Sequence, residues 1–235
     1  MLKPTKKFIT ACEEARWIPD RLPIDQFGRY LEYLLSTNEH CNLTAIRDPS
    51  EAWMRHVYDS LTLLPHLSDT RGVWVDVGTG GGVPGMVLAL VYPDQPIHLI
   101  EATGKKCRFL SDTVNELGIG NVTVHHVRAE EAGRDPAFRE GYTIALSRAV
   151  SALNILVELS LPLLEVEGWM LAMKGEGYQA EMDQAERAIH ALGGREPTVH
   201  QQEHNNGAII ALQKTSSTPE KYPRKPGMPN KRPLI

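Results

Sequence analysis

Apolar and polar positions follow two different patterns along the 235-residue chain, and the change falls near residue 72. Before it, apolar residues recur at helical spacing, as in the run from Ile24 to Leu35. Further on, Asp48 can cap a helix and Pro49 suits its first position, so a second helix is expected from there to about Leu64. Residues 1–70 are therefore predicted to form an N-terminal helical extension.

Beyond residue 72, short apolar strands alternate with segments of helical periodicity. The strands are predicted at 73–77, 97–100, 122–126, 143–147 and 168–173. Such alternation implies right-handed βαβ units and a parallel sheet. The last two apolar runs flank Asn205-Asn206-Gly207, a strong hairpin signal. We therefore predict, for residues 71–214, a doubly wound, mostly parallel α/β sheet of seven strands with a C-terminal antiparallel hairpin. This is the arrangement of Rossmann-like S-adenosylmethionine-dependent methyltransferases.

A glycine-rich segment, VDVGTGGGVPG, joins the first strand to the next helix at residues 75–85. Such a turn brings free backbone N–H groups to the crevice at the carboxyl ends of the strands, where anionic ligands bind. Two patterns overlap in it. Gly80-x-Gly82-x-x-Gly85 matches a dinucleotide-binding fingerprint, and Gly78-x-Gly80-x-Gly82 after Asp76 matches the methyltransferase pattern DxGxGxG. The loop by itself leaves both ligand classes open.

The acidic residues that follow the loop favour S-adenosylmethionine. Glu101 lies about 20 residues further on, where an acid that accepts the ribose hydroxyls is expected. Ala129 and Glu130 follow the third strand and can serve the adenine, while Asp76 can face the methionine ammonium group. The helical extension at one end and the hairpin at the other also favour the methyltransferase reading.

Candidate methyl acceptors differ in the catalytic residues that they need at the end of strand four, which here has the sequence ALSRAVSAL. Methylation of pyrimidine C5 needs a cysteine there, and Cys12, Cys41 and Cys107 all lie elsewhere. The segment also lacks the Pro-Pro-aromatic motif of amine methylation and the aspartate common in ribose methylation. Guanine N7 needs no general base, because its lone pair is free and alignment supplies the rate.

Six segments carry a close resemblance to a known family, from about residue 25 to the C-terminus. They are residues 42–61, 75–90, 104–110, 146–153, 172–175 and 218–234. The chain resembles the RsmG (GidB) family, bacterial methyltransferases that act on guanine N7 of 16S small-subunit rRNA. Val83 departs from the Phe or Leu usual in that family, and Glu101 from its usual Asp. Together with the pattern, the resemblance implies these cofactor-binding positions: Asp76, Gly78, Gly80, Gly82, Val83, Glu101, Ala129, Glu130 and Arg148.

Other residues are candidates for catalysis and for RNA binding. Arg148 and Lys174 end strands four and five and are the catalytic candidates, because arginine can bind a carboxylate or stack on a base. The net charge of −4 is unevenly distributed along the chain. Residues 214–235 contain six Lys or Arg and one Glu, a charge of +5, so the remaining residues carry −9. The basic, Pro-rich tail (residues 215–235) is interpreted either as an RNA-binding segment or as a solubilising one; its prolines disfavour regular structure. The RNA-binding candidates are Asn42, Arg47, His56, Lys174, Lys221, Arg224, Lys225, Lys231 and Arg232.

Other features of the sequence indicate where the protein is located and what it binds. No run of 18 apolar residues and no signal-peptide pattern occur in the sequence. Three scattered cysteines and histidines without ligand spacing favour a cytoplasmic, metal-free protein. The expected partner is small-subunit rRNA or the ribosomal subunit. Two other functions stay open at this point, a dinucleotide-dependent oxidoreductase and an RNA-binding protein that retains only the fold.

Overall fold

The computed structural model describes residues 1–67, 71–202 and 204–235. Residues 68–70, which adjoin the predicted domain boundary, and Glu203 in the predicted hairpin lie outside the described residues. Within the described ranges the strands are β1 (Trp74–Val77), β2 (Ile97–Glu101), β3 (Val122–His126), β4 (Tyr142–Arg148), β5 (Leu164–Lys174), β6 (Thr198–Gln202) and β7 (Gly207–Gln213). They form a single sheet in the order β3-β2-β1-β4-β5-β7-β6.

The sheet confirms the predicted fold. β1 to β5 pair in parallel, and β7 runs antiparallel to both β5 and β6. Asp76 on β1 is in register with Leu99 on β2 and Leu146 on β4, so these three strands end together. The carboxyl ends of the central strands therefore form one edge of the sheet, where ligands bind in open α/β folds.

Helices cover both faces of the sheet. In chain order the α-helices are α1 (Lys6–Glu14), α2 (Ile24–Cys41), α3 (Pro49–Ala52), α4 (Asp59–Leu61), α5 (Gly85–Val91), α6 (Gly104–Leu117), α7 (Ala129–Ala132), α8 (Leu153–Ser160), α9 (Tyr178–Ala191) and α10 (Met228–Lys231). Short 3₁₀ turns occupy Pro19–Arg21, Leu64–His66 and Leu161–Leu163. One core packs the extension with α5 and α6, and the other packs α8 and α9. No helix of the described ranges is both long and apolar enough to cross a membrane.

The second predicted helix of the extension begins as expected but has an irregular course. The Asp48 carboxylate caps it, accepting a hydrogen bond from the Glu51 N–H at 2.8 Å. After α3 the backbone is π-helical over Trp53–Tyr58, and the regular helix ends at Leu61 instead of about Leu64. π-Helical segments are rare and often occur at functional sites. This one carries His56 and leads directly into Asp59.

The tail differs from the expectation of an irregular segment, because it contains α10 and is bonded to the sheet domain at several points. Directly before it, Lys214 is fully buried and donates to the Glu140 carboxylate at 2.7 Å and to two backbone carbonyls. Arg224 forms a fork with the buried carboxylate of Glu158. Because proline has no backbone N–H group, the tail cannot form regular backbone hydrogen bonds at those positions, and these side-chain hydrogen bonds hold it to the domain instead.

Candidate cofactor and substrate cleft

A cleft of about 720 Å³ opens at the carboxyl ends of β1, β4 and β5. One side is formed by the glycine loop from Gly78 to Val83, the floor by Arg148 and Lys174, and the opposite side by the extension, including His56. A second cavity, of about 850 Å³, is lined by the opposite ends of the strands and contains none of the predicted site residues. Six of the predicted site residues line the first cleft: Gly78, Gly80, Val83, His56, Arg148 and Lys174. The other predicted cofactor positions are not among its lining residues: Asp76, Gly82, Glu101, Ala129 and Glu130.

Asp76 organises the glycine loop from its buried position at the end of β1. Its Oδ2 atom accepts hydrogen bonds from the Thr79 hydroxyl at 2.6 Å and from the Gly85 N–H at 2.8 Å. Its Oδ1 atom is buried and has no hydrogen-bond partner among the described residues. Burial raises the pKa of Asp76 to about 6, although both hydrogen bonds oppose this shift. One carboxylate oxygen is thus left for a ligand.

Two glycines of the loop are required for different reasons. A Cβ atom at Gly85 would lie 2.5 Å from the Leu99 side chain, so α5 can pack on the sheet only with glycine there. At Gly80 the backbone has φ +61°, which side chains rarely adopt, while the nearest atom to a Cβ would be 3.9 Å away. Gly80 therefore leaves open space over a bend that only glycine adopts easily, a suitable cradle for a ligand.

The two acids expected to contact the cofactor have different surroundings. Glu101 is buried, and its carboxylate accepts hydrogen bonds from the Gly80 N–H at 3.1 Å and the Thr103 N–H at 2.7 Å. A carboxylate has lone pairs left for further donors. Glu130 is also buried, but its Oε1 atom accepts a hydrogen bond from the Gly227 N–H of the tail at 2.8 Å. The Glu130 carboxylate thus anchors the tail, a role that its sequence context did not predict.

Arg148 lies between the sheet and the extension. Its Nη2 atom donates to Nδ1 of His56 at 3.0 Å, and its Nη1 atom donates to the Arg55 carbonyl. Burial and the charge of Arg148 lower the pKa of His56 to about 3, so its imidazole is neutral. Because Nδ1 accepts, the ring proton is on Nε2, which donates to the Thr44 hydroxyl at 3.1 Å. His56 therefore holds Arg148 and is not available as a general base.

Lys174 also lies in the cleft with its ammonium group engaged. The Nζ atom donates to the Ser151 carbonyl at 2.7 Å and lies 2.6 Å from the Glu181 carboxylate. Glu181 in turn accepts a hydrogen bond from the Leu153 N–H at the start of α8. Lys174 thus links the ends of β5, α8 and α9, and it remains a candidate for contact with substrate.

Of the nine RNA-binding candidates, His56 is buried and Lys174 lies in the cleft, and the other seven divide into two surface regions and one internal ion pair. Asn42 and Arg47 are exposed in the loop after α2, near the opening of the cleft. The second region is the tail, where four cations are exposed: Lys221, Lys225, Lys231 and Arg232. Arg224 differs, because its guanidinium is paired with Glu158 inside the fold. Its charge therefore serves the attachment of the tail.

Sequence reasoning missed several residues that shape the cleft. Thr79 lies inside the glycine motif, so its hydrogen bond to Asp76 had a local signal. Glu181 lines the cleft from α9. His204 and Asn205 contact Asp59 across 145 and 146 positions of sequence, and no spacing rule links them. Among the described residues, no group of three His, Cys, Asp or Glu side chains is placed to hold a metal ion.

The fold and the cleft together define the class of Rossmann-like methyltransferases, with the glycine loop after β1 and the antiparallel β7 as its marks. The comparisons with known proteins narrow this class. The family model for GidB, rRNA small subunit methyltransferase G, matches residues 23–210. The chain belongs to this family, as its sequence predicted. The loop left open whether the ligand is a dinucleotide or S-adenosylmethionine, and membership of this family favours S-adenosylmethionine and methyl transfer.

Individual relatives support the same assignment. A ribosomal RNA small subunit methyltransferase G from Chloroflexus aggregans is 42% identical over 213 residues, 89% of each chain. One from a Geobacillus species is 38% identical over 235 residues, covering 98% of this chain and 99% of its own. Among solved structures, an rRNA methylase from Streptococcus thermophilus is 19% identical with a TM-score of 0.50, covering 69% of this chain and 98% of its own. At that identity it is evidence for the fold alone.

Proposed function

We propose that this protein transfers a methyl group from S-adenosylmethionine to N7 of a guanosine in the RNA of the small ribosomal subunit. Its relatives are named as small-subunit rRNA methyltransferases. The observation that carries the proposal is the buried Oδ1 atom of Asp76, which has no hydrogen-bond partner among the described residues and lies at the end of the strand that leads into the glycine loop with its open bend at Gly80. An ionised carboxylate in that position suits the ammonium group of the donor.

The residues of the cleft fit S-adenosylmethionine. Asp76 would face its ammonium group, Glu101 its ribose hydroxyls, and Val83 and Ala129 its less polar parts. The guanidinium of Arg148 suits the methionine carboxylate. When bound, the donor supplies a sulfonium whose methyl group is electrophilic. The chain contributes by holding that group at a fixed orientation and by excluding water on the side of the buried loop.

Guanine N7 is an acceptor that matches the chemistry available in the cleft. Its lone pair carries no proton, so methyl transfer needs no general base. The neutral imidazole of His56 has both ring nitrogens engaged, by Arg148 and Thr44. Arg148 and Lys174 then act as cations that position the substrate and the donor. The rate would come from alignment, which contributes up to about 7–11 kcal/mol in favourable intramolecular reactions.

The test is methylation of small-subunit rRNA, free or in assembled subunits, with labelled S-adenosylmethionine. We expect one guanosine to acquire a label that makes the RNA chain cleavable after reduction and treatment with aniline, a signature of N7-methylguanosine. A label on another atom would refute the N7 assignment while leaving methyl transfer standing. If the protein binds the donor but transfers no methyl group to either substrate, the proposed activity is refuted.

A binding experiment with matched variants separates the cofactor from the RNA. Glu101→Ala should weaken the affinity for S-adenosylmethionine by about 1–3 kcal/mol, the cost of losing a buried hydrogen-bonding group. The control is Glu116→Ala, an exposed glutamate on α6 that should leave the affinity unchanged. Equal affinities for both variants would remove Glu101 from the cofactor site.

A further inference from the structure

Asp59 connects three distant parts of the chain. It is buried at the start of α4, with its Oδ1 atom 2.6 Å from Nε2 of His204 and 3.4 Å from Nδ2 of Asn205. Its Oδ2 atom lies 3.8 Å from Nη1 of Arg148 and 3.8 Å from Nε of Arg55. One carboxylate thus faces the tip of the β6–β7 hairpin on one side and two guanidinium groups on the other.

The negative charge of Asp59 stabilises the charged form of the Arg148 guanidinium. Burial lowers the pKa of Arg148, and the negative charge of Asp59 is the largest contribution that opposes this effect. His56 accepts a hydrogen bond from Arg148 but carries no charge to balance it. The Asp59 carboxylate, 3.8 Å from Nη1 of Arg148, is therefore the charge that does most to keep a guanidinium favourable at the end of β4.

The hairpin depends on the same region of the extension. Asn205 and Gln202 line the cleft, and Gln202 donates a hydrogen bond to the Thr62 hydroxyl, close to Asp59 in the chain. The hairpin tip is thereby held against the extension by contacts to two of its residues. Two sides of the cleft, one from each end of the sequence, meet at Asp59.

We propose that Asp59 is a positioning residue: its carboxylate orients the guanidinium of Arg148 in the cleft and joins the β6–β7 hairpin to the extension. This inference rests on the proposed function, since Arg148 is there assigned to the methyl donor. Replacement of the carboxylate would leave Arg148 bonded to His56 and the Arg55 carbonyl but without the negative charge that faces its guanidinium, which would then shift towards other acceptors. The effect of such a change should therefore be transmitted through Arg148.

A double-mutant cycle on donor affinity, measured by calorimetry, tests this transmission. Asp59→Asn should weaken binding of S-adenosylmethionine about tenfold, the scale of coupling between residues in one charged network. In an Arg148→Ala background the same substitution should change the affinity less than about twofold. An equal effect in both backgrounds would show a general structural role and overturn the proposal, as would an unchanged affinity in Asp59→Asn alone.

The controls keep the outcomes distinct. Asp183→Asn removes an exposed carboxylate from α9 and should bind the donor as the wild type does. If Asp59→Asn is not recovered folded, His204→Ala replaces it in the cycle; an effect of about threefold that vanishes with Arg148→Ala is expected, and any other result overturns the proposal. If the wild-type protein binds the donor but methylates no rRNA, the proposed function fails while the cycle still decides the role of Asp59.

Discussion

The extension and the tail flank the same sheet domain, but their polar groups have opposite uses. In the extension, Thr44, His56 and Asp59 turn towards the cleft and contact one another or Arg148. Around the tail, Lys214 and Arg224 turn inward and pair with Glu140 and Glu158. The extension therefore contributes to the site, whereas much of the tail's polar chemistry attaches the tail itself.

This difference shows that net charge alone does not identify a binding surface. The tail was singled out for its excess of basic residues, yet Arg224 and the adjacent Lys214 are neutralised within the fold. The exposed cations are the four at Lys221, Lys225, Lys231 and Arg232. The extension, with no such excess, provides more of the groups around the cleft. We therefore expect substitutions in the two regions to affect different measurements.

The largest effect is expected at Lys214. Lys214→Met removes a fully buried ammonium group and leaves the Glu140 carboxylate and two carbonyls without their donor. The free energy of unfolding should fall by about 3 kcal/mol, the lower end for breaking a buried pair, because Glu140 is partly exposed. Urea denaturation measures this change, with the exposed Lys221→Met as control. A loss below about 1 kcal/mol would contradict a structural role.

A substitution in the extension should lower the catalytic activity. His56→Ala leaves Nη2 of Arg148 and the Thr44 hydroxyl without their shared partner. We expect kcat/KM for rRNA methylation to fall about 10–100-fold, corresponding to 1–3 kcal/mol for unpaired buried groups. The assay is run well below the melting temperature, with His40→Ala on the exposed face of α2 as control. If His56→Ala lowers the stability but not the activity, the extension has a structural role and does not contribute to the site.

A change of pH separates the glycine loop from the extension. The pKa of Asp76 is raised to about 6 by burial, so its carboxylate loses its charge as the pH falls below that value. The affinity for S-adenosylmethionine should therefore decrease by up to about tenfold from pH 7 to pH 5, because the donor's ammonium group stays protonated in this range. His56, with a pKa of about 3, does not titrate there. Asp76→Asn should abolish the dependence, and a persistent one would assign it to another group.

The smallest effect concerns the exposed tail cations. Replacing Lys221, Lys225, Lys231 and Arg232 by Gln should reduce the log–log salt slope of rRNA binding by about 3, for four contacts at 0.7 each. The control replaces four exposed cations of the extension in the same way, Lys3, Lys6, Lys7 and Arg21. Equal slopes for the two variants would remove the tail from RNA binding. Point substitutions are preferable to truncation near Gln213, which would also delete the buried Lys214.

The fold was largely predictable because its main signals are local. Short runs rich in Val and Ile placed β1 to β3 within a residue or two of their observed bounds. β5 is the exception, beginning at Leu164 instead of 168. Its register to β4 shifts between Tyr142 and Ile144, and Glu167 has φ +72°. The segment from Leu164 to Glu167 does alternate apolar and polar residues as a strand does. The bulge separates it from the continuous apolar run after Gly168, which is the part that was predicted.

The site was predictable only where its residues are close in sequence. Asp76 and the glycines belong to one motif, and the Asp76 carboxylate accepts a hydrogen bond from the Gly85 N–H within it. The contacts of Asp59 with Arg148 and His204 depend on how the extension and the hairpin fold over the sheet. The attachment of Glu130 to Gly227 likewise joins residues 97 positions apart. Sequence patterns identified such residues singly but gave no information on their partners.

The π-helical segment at Trp53–Tyr58 makes chain length as important as residue identity in this part of the protein. Each residue of a helix turns the chain by about 100°, so deletion of a single position there would rotate everything that follows by that angle. Asp59 would then point away from Arg148 although every side chain in the cleft was retained. Along these six residues, evolution should therefore accept few insertions or deletions.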